Sequence, residues 1–206
     1  MAKTATRRGA PRRGEPSARD RLIEIAIELF YQEGIRAIGI DTVVARSGVS
    51  KSSLYRTFAS KDELIAAFAE EQNRRFWRWW DEIMKRHAGA PRQQIEALLE
   101  GVAGQIANPR FRGCPFINLA TEFPDPRHPG TGIACNNKKE VCKRLRALAR
   151  ALGARDPRQL GDQLALLIDG AYGHAVTLGS AGLRHELIEI GKLLIDAQVD
   201  QGGRSA

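Results

Sequence analysis

The eleven residues Gly48-Val49-Ser50-Lys51-Ser52-Ser53-Leu54-Tyr55-Arg56-Thr57-Phe58 hold a helix stop, a helix start and a short helix with two unlike sides. Gly48 suits the left-handed conformation that ends a helix, and Ser50 can cap the next one through the amides of Ser52 or Ser53. Val49 and Leu54 occupy the two positions of a hydrophobic staple, which fixes the direction in which the chain leaves the turn. Leu54 and Phe58 lie one turn apart and face inward. At about 100° per residue this turns Ser52 and Arg56 outward, with Ser53 and Tyr55 on their flanks. The outward side is therefore polar, basic and aromatic.

The flanking sequence supplies the rest of a small helical unit. From Ser17 onward, Leu22, Ile25, Ala26, Leu29 and Phe30 recur at helical spacing until Gly34 stops the run, and Ser17 with Asp20 resembles a capping pair at its start. A shorter helix follows, with Ile40, Val43, Val44 and Ser47 on one face and Gly48 as its stop. Downstream, Ser60-Lys61-Asp62-Glu63-Leu64 has the pattern of a capping box and launches a fourth helix running to about Arg86. Two short helices joined by a tight Gly-containing turn, the second with a narrow apolar side, are the elements of a helix-turn-helix. An ordinary helical hairpin with a solvated outer face has the same spacing.

Bulk properties narrow the class. A chain of 206 residues can bury about 70% of its unfolded surface, so it needs no disulfide or metal staple. With 43% hydrophobic and 27% charged residues, the composition is that of a folded, water-soluble protein. No apolar run approaches the roughly 20 residues that span a bilayer, and Arg and Pro stand where a secretory signal needs apolar residues. A cytoplasmic protein with no membrane partner is expected. Cys114, Cys135 and Cys142 are an odd set in a chain of this size, which argues for reduced thiols. The formal net charge is +8, and residues 1–61 hold twelve Lys or Arg against six Asp or Glu. A concentrated positive field favours a polyanion, because each neutralised phosphate releases condensed counterions. Residues 1–17, with Arg7, Arg8, Arg12 and Arg13 among Gly, Pro and Thr, have too little apolar surface to offset the entropy of ordering and are expected to form a mobile basic arm.

The segment from Asp20 to Leu64 resembles the DNA-binding domain of the tetracycline-repressor (TetR) family. The likeness is carried by Ala26, Leu29, Phe30 and Gly34, by Ser47-Gly48-Val49-Ser50 in the turn, and by Leu54-Tyr55, Phe58, Ser60-Lys61 and Leu64. It implies a homodimer with the third helix of each subunit in a major groove of double-stranded operator DNA and a small-molecule effector bound by the large C-terminal part. Position by position, it implies DNA contacts from Lys51, Ser52, Ser53, Tyr55 and Arg56, with the Tyr55 ring packed and its hydroxyl offered to a phosphate. Lys61 resembles a phosphate anchor. Ile38 and Gly39 stand where the family commonly has hydroxyl residues, so the contact expected there passes to Thr42.

The C-terminal two thirds are helical but carry no comparable motif. Phe76, Trp77, Trp79 and Trp80 cannot all share one face of the fourth helix, so part of the cluster is expected to line a cavity or lie exposed. Further helices are expected from about Gln93 to Ala107, Thr131 to Leu152 and Arg158 to Leu178, with a last amphipathic one using Leu183, Leu187, Ile190, Leu194 and Ile195. Between the first two, Gly/Pro clusters bracket a short apolar piece. Gly170, Gly173 and Gly179 lower helix propensity, which predicts close backbone packing in return. Two long apolar-faced helices at the end of the chain suit a four-helix interface between two subunits. The candidate effector-pocket residues are Trp77, Trp80, Phe116, Phe123, Tyr172 and His174.

The expectation is an all-α chain: a flexible basic arm (1–17), a three-helix helix-turn-helix domain (18–66) and a helical effector-binding and dimerisation domain (67–206). The expected function is a ligand-responsive transcriptional regulator, a repressor released from a palindromic operator by its effector. No catalytic residue, cofactor or metal site is expected, because no nucleophile–base pair, phosphate loop or ligand spacing is present. A redox- or metal-responsive regulator and a helical module that binds nucleic acid without sequence choice remain as alternatives.

Overall fold

The structure, a computed structural model, describes residues 16–199, and their regular structure is entirely helical. The elements are α1 (Ala18–Glu33), α2 (Ile40–Ser47), α3 (Lys51–Thr57), α4 (Lys61–Arg86), α5 (Pro91–Ile106), α6 (Pro115–Glu122), α7 (Pro129–Ala151), α8 (Pro157–Thr177) and α9 (Leu183–Asp196). The expected basic arm lies outside the described residues except for Pro16 and Ser17. The chain divides into two compact units between Leu64 and Ile65, so α4 begins in the first and continues in the second.

In the first unit α1 packs on both α2 and α3. Ser17 and Asp20 form a reciprocal capping box at the start of α1, in which the Ser17 hydroxyl accepts from the Asp20 amide and the Asp20 carboxylate accepts from the Ser17 amide. Leu22, Ala26, Val43 and Leu54 are completely buried. Each such leucine contributes about 1.5–3 kcal/mol relative to an exposed one, which is what holds short helices that are marginal alone. At the start of α4 the expected box is only half made. Ser60 accepts from the Glu63 amide at 3.2 Å, but the Glu63 carboxylate turns back to the Ala59 amide at 2.7 Å instead of the Ser60 amide.

In the second unit, α7 packs along α8 and α6, while α9 lies against α5 and α8. Proline opens α5, α6, α7 and α8 at the first helical position, where its missing N–H has no intrahelical partner to lose. The bracketed apolar piece is α6, an eight-residue helix that buries Phe116 and Leu119. Within this chain the close helix approaches fall at glycines other than the expected ones. A Cβ on Gly161 would stand 2.6 Å from the Arg146 backbone nitrogen, and one on Gly191 would stand 2.1 Å from Leu99 Cδ1. Gly170 and Gly173 have open space where a Cβ would be, and Gly179 sits beyond α8 at φ +89°. Periodicity identified α8 as small-residue-rich but could not say which small residues face a neighbour.

Candidate nucleic-acid interface

The turn between α2 and α3 is closed from both sides. Gly48 adopts φ 65° and ψ 12°, a conformation that glycine takes without a Cβ penalty. The Ser47 hydroxyl donates to the Val44 carbonyl at 3.1 Å and accepts from the Val49 amide at 3.2 Å. Ser50 caps α3 by accepting from the Ser53 amide at 3.2 Å. With Val49, Leu54 and Phe58 buried, α3 is locked in rotation about its axis, and Lys51, Ser52, Tyr55 and Arg56 are exposed together.

Each candidate DNA-contact residue has a definite local setting. Arg56 Nη2 donates to Ser53 Oγ at 2.9 Å, so the guanidinium lies along the outer side of α3. Ser53 is half-buried and tied to Ser50. Tyr55 is 49% exposed, which differs from the packed ring that the resemblance implied. Thr42 is exposed in the first turn of α2. Next to it Asp41 pairs with Lys51, Oδ1 to Nζ, at 2.7 Å, which joins the starts of α2 and α3. The Asp41 hydrogen bond and charge raise the Lys51 ammonium above its ordinary value. Lys61 is held differently from the others. Its ammonium donates to the Ile35 carbonyl at 2.8 Å and lies 5.9 Å from the Phe30 ring centre. That side chain ties the start of α4 to the end of α1, a structural task that spacing alone gave no sign of. Asp41 was also missed, because an acidic residue in the first turn of a helix reads as an ordinary response to the helix dipole.

The six pocket candidates fall into separate groups in the second unit. Phe76, absent from the set, joins three of them: its ring centre is 4.9 Å from Trp77, 6.1 Å from Trp80 and 6.0 Å from Phe116. The Arg144 guanidinium stands 4.0 Å over Trp77. Phe123 stacks on His128 at 4.4 Å. Tyr172 is buried, with its hydroxyl donating to Gln105 Oε1 at 3.0 Å and its ring 5.6 Å from Phe111. His174 is exposed on α8. An open hollow of about 370 Å³ is lined by Glu71, Asn73, Arg74, Trp77, Arg78 and Asp81, and it includes only Trp77 of the six. Cys114 is buried at the start of α6, and burial pushes its thiol up. Cys135 is exposed and Cys142 half-buried, both on α7. Among the described residues no three His, Cys, Asp or Glu side chains gather into a metal-binding group.

Comparison with known proteins places this geometry. The model of the bacterial regulatory proteins, tetR family, matches residues 22–68, which takes in α2, α3 and most of α1. A crystal structure of a tetR transcriptional regulator from Streptomyces avermitilis is 34% identical, with a TM-score of 0.77 over 89% of this chain and 98% of that one. The chain belongs to the TetR family. A TetR-family regulator from Streptomyces coelicolor superposes with a TM-score of 0.84 at 28% identity, covering 88% of this chain and 95% of its own. The HTH-type transcriptional regulator YjdC of Escherichia coli is 23% identical over 188 residues, which is 90% of this chain and 97% of YjdC. The all-α fold and the helix-turn-helix expected from the sequence are those of the family. The protein is a DNA-binding transcriptional regulator, like the TetR-family relatives that it matches along nearly its whole length. No helix among the described residues is long and apolar enough to cross a membrane.

Proposed function

We propose that this TetR-family regulator is a cytoplasmic, non-enzymatic repressor that binds a palindromic operator as a homodimer and is released by a small effector. The observation that carries the DNA-facing part is the fixed rotation of α3. Burial of Leu54 and Phe58 leaves Lys51, Ser52, Tyr55 and Arg56 on the solvent side, on a helix short enough to lie in a major groove. Arg56 is assigned to a base edge, where a guanidinium can reach two guanine acceptors at once. Lys51, Ser52, Ser53 and Tyr55 are assigned to phosphates and neighbouring bases, and Thr42 to a phosphate at the start of α2. Lys61 acts first by bracing the end of α1 and only then as a phosphate contact.

The homodimer is assigned to α8 and α9, which leave Leu166, Val176, Ile190 and Leu193 exposed, with Leu178 exposed just past the end of α8. Apolar surface of this extent on two adjacent helices suits a subunit interface. Residues 18–66 form the DNA-binding domain and 67–206 the effector and dimerisation domain. The Phe76-centred cluster with Trp77, Trp80 and Phe116 is the favoured wall of the effector site, with Phe123, Tyr172 and His174 as the remaining candidates. An effector that stabilises a dimer in which the two α3 helices no longer match successive grooves needs a coupling of about 1–3 kcal/mol to weaken binding by about 5- to 150-fold.

Footprinting purified protein on its source genomic DNA, with and without candidate metabolites, tests this reading. The expected result is a protected palindrome with half-sites about one helical turn apart, lost when one metabolite is added. Protection that spreads evenly over all sequences would replace the reading with a module that binds without sequence choice.

A further inference from the structure

The Asp41–Lys51 pair occupies a place where a DNA-binding surface gains nothing from a carboxylate. Asp41 is 78% exposed and Lys51 is 56% exposed, so the pair is well solvated and its contribution to folding is small. Asp41 lies in the first turn of α2 beside Thr42, and its partner is the first residue of α3. A negative charge there repels phosphates, and the 2.7 Å contact occupies the ammonium that phosphates would otherwise attract.

We propose that Asp41 is a specificity-determining residue that serves as an internal counterion for Lys51 and thereby restrains the protein's hold on DNA of arbitrary sequence. The inference rests on the assignment of α3 as the DNA-facing helix. Non-specific binding comes almost wholly from phosphate contacts that displace counterions. A lysine already paired with a carboxylate on its own chain releases fewer counterions when it meets a phosphate, because Asp41 has done part of the neutralising. Base contacts such as the one assigned to Arg56 are not reduced in the same way. The pair therefore lowers the background against which sequence is read, and it does so without touching a base. Arg56 provides the contrast within the same helix, since its partner is the neutral Ser53 hydroxyl and its charge remains available.

The test is a double-mutant cycle on the full chain, read by fluorescence anisotropy on a random-sequence 24-base-pair duplex over a salt series. Asp41→Asn removes the charge and keeps the size. It should steepen the slope of log affinity against log salt by about 0.9 per engaged subunit, and tighten binding at 0.1 M salt by roughly eightfold per subunit. In a Lys51→Met background, where no ammonium is left to free, Asp41→Asn should move both quantities much less, leaving only the relief of phosphate repulsion. An unchanged slope for Asp41→Asn alone overturns the proposal, because Lys51 would then be fully available in the native protein. An equal gain in both backgrounds also overturns it, since Asp41 would be acting through the general field and not through the pair. Failure of the native protein to bind any duplex in a salt-dependent way would instead remove the assignment of α3. Thermal melts of Asp41→Asn and Asp41→Ala should match the native protein, and a melt lost in both variants would contradict the pair's being dispensable to folding.

Discussion

The outer side of α3 and the outer sides of α8 and α9 are both left to solvent, and their chemistry is opposite. On α3, burial of Leu54 and Phe58 leaves Lys51, Ser52, Tyr55 and Arg56 outside. On α8 and α9, Leu164, Ile168, Leu187 and Ile195 are buried, yet Leu166, Val176, Leu178, Ile190 and Leu193 remain exposed. One exposed leucine is ordinary, whereas four large apolar residues exposed on two helices that pack against each other, with Leu178 just past the end of α8, call for a partner. A helix needs only one side buried to be stable, so the residues on its other side are free to answer what that side meets. Hydroxyls, a phenol and cations suit a wet interface with a polyanion. Exposed leucines suit a dry interface with protein.

The largest expected effect breaks the apolar side. Leu166→Glu combined with Leu193→Glu, both at exposed positions, should halve the solution mass in light scattering. Loss of the second DNA-binding head should weaken operator binding by about 100-fold or more, while the thermal melt of each subunit persists. An unchanged mass would show that this patch is not the subunit interface.

Next in size is a comparison of glycines on the same helix. Gly161→Ala drives a Cβ into the Arg146 backbone, which must separate α7 from α8 and should cost about 1–3 kcal/mol in a denaturant melt. Gly173→Ala meets nothing within 4 Å in its own chain, so in the monomeric double variant it should be neutral or stabilise by up to about 1 kcal/mol through helix propensity. Equal losses at both positions would contradict the placement of the inner and outer sides of α8.

On α3, Arg56→Ala should cost about 1–3 kcal/mol on the footprinted operator and much less on random duplex. Lys61→Ala should weaken all sequences alike and also lower the melting temperature, because it removes the bond to the Ile35 carbonyl. A Lys61→Ala protein that melts like the native one would remove its bracing role.

The smallest effect belongs to a surface that neither side uses. Burial raises the Glu71 carboxyl, but hydrogen bonds and charge from Arg75 and Arg74 outweigh it, so the net shift is downward. A carboxyl lowered in the folded state stabilises above its unfolded value and loses that contribution as pH falls through the folded one. Glu71→Gln should therefore lower the melting temperature slightly at pH 7, and the gap should close as pH falls from the ordinary glutamate value through the lowered folded one. DNA affinity and subunit mass should not move.

The first unit was legible because its signals are local. Ser17, Gly34, Gly48, Val49, Ser50 and Ser60 each act on residues within a turn of themselves, so chain order alone gives the helix limits and the rotation of α3. The contact from Lys61 to Ile35 spans 26 residues and left no trace in spacing. In the second unit, α5, α7 and α8 start one or two residues before the expected Gln93, Thr131 and Arg158, because Pro91, Pro129 and Pro157 each fill the first helical position. The close approaches at Gly161 and Gly191 depend on which neighbour crosses there. The same is true of the aromatic cluster, where Phe76 joins α4 to Phe116 on α6 across 40 residues of sequence. Periodicity tells which side of a helix is apolar but not whether a cavity, a core or another subunit covers it.

The account depends most on the outer side of α3 reading DNA. Its direct test is an equilibrium titration of the footprinted duplex and a scrambled duplex with native protein and with Arg56→Ala, at one salt concentration. The account predicts that native protein prefers the footprinted duplex by at least about 1000-fold and that Arg56→Ala removes a large part of that preference while still binding the scrambled one. Equal binding of both duplexes by the native protein, or an Arg56→Ala protein that discriminates as well as the native one, would contradict it.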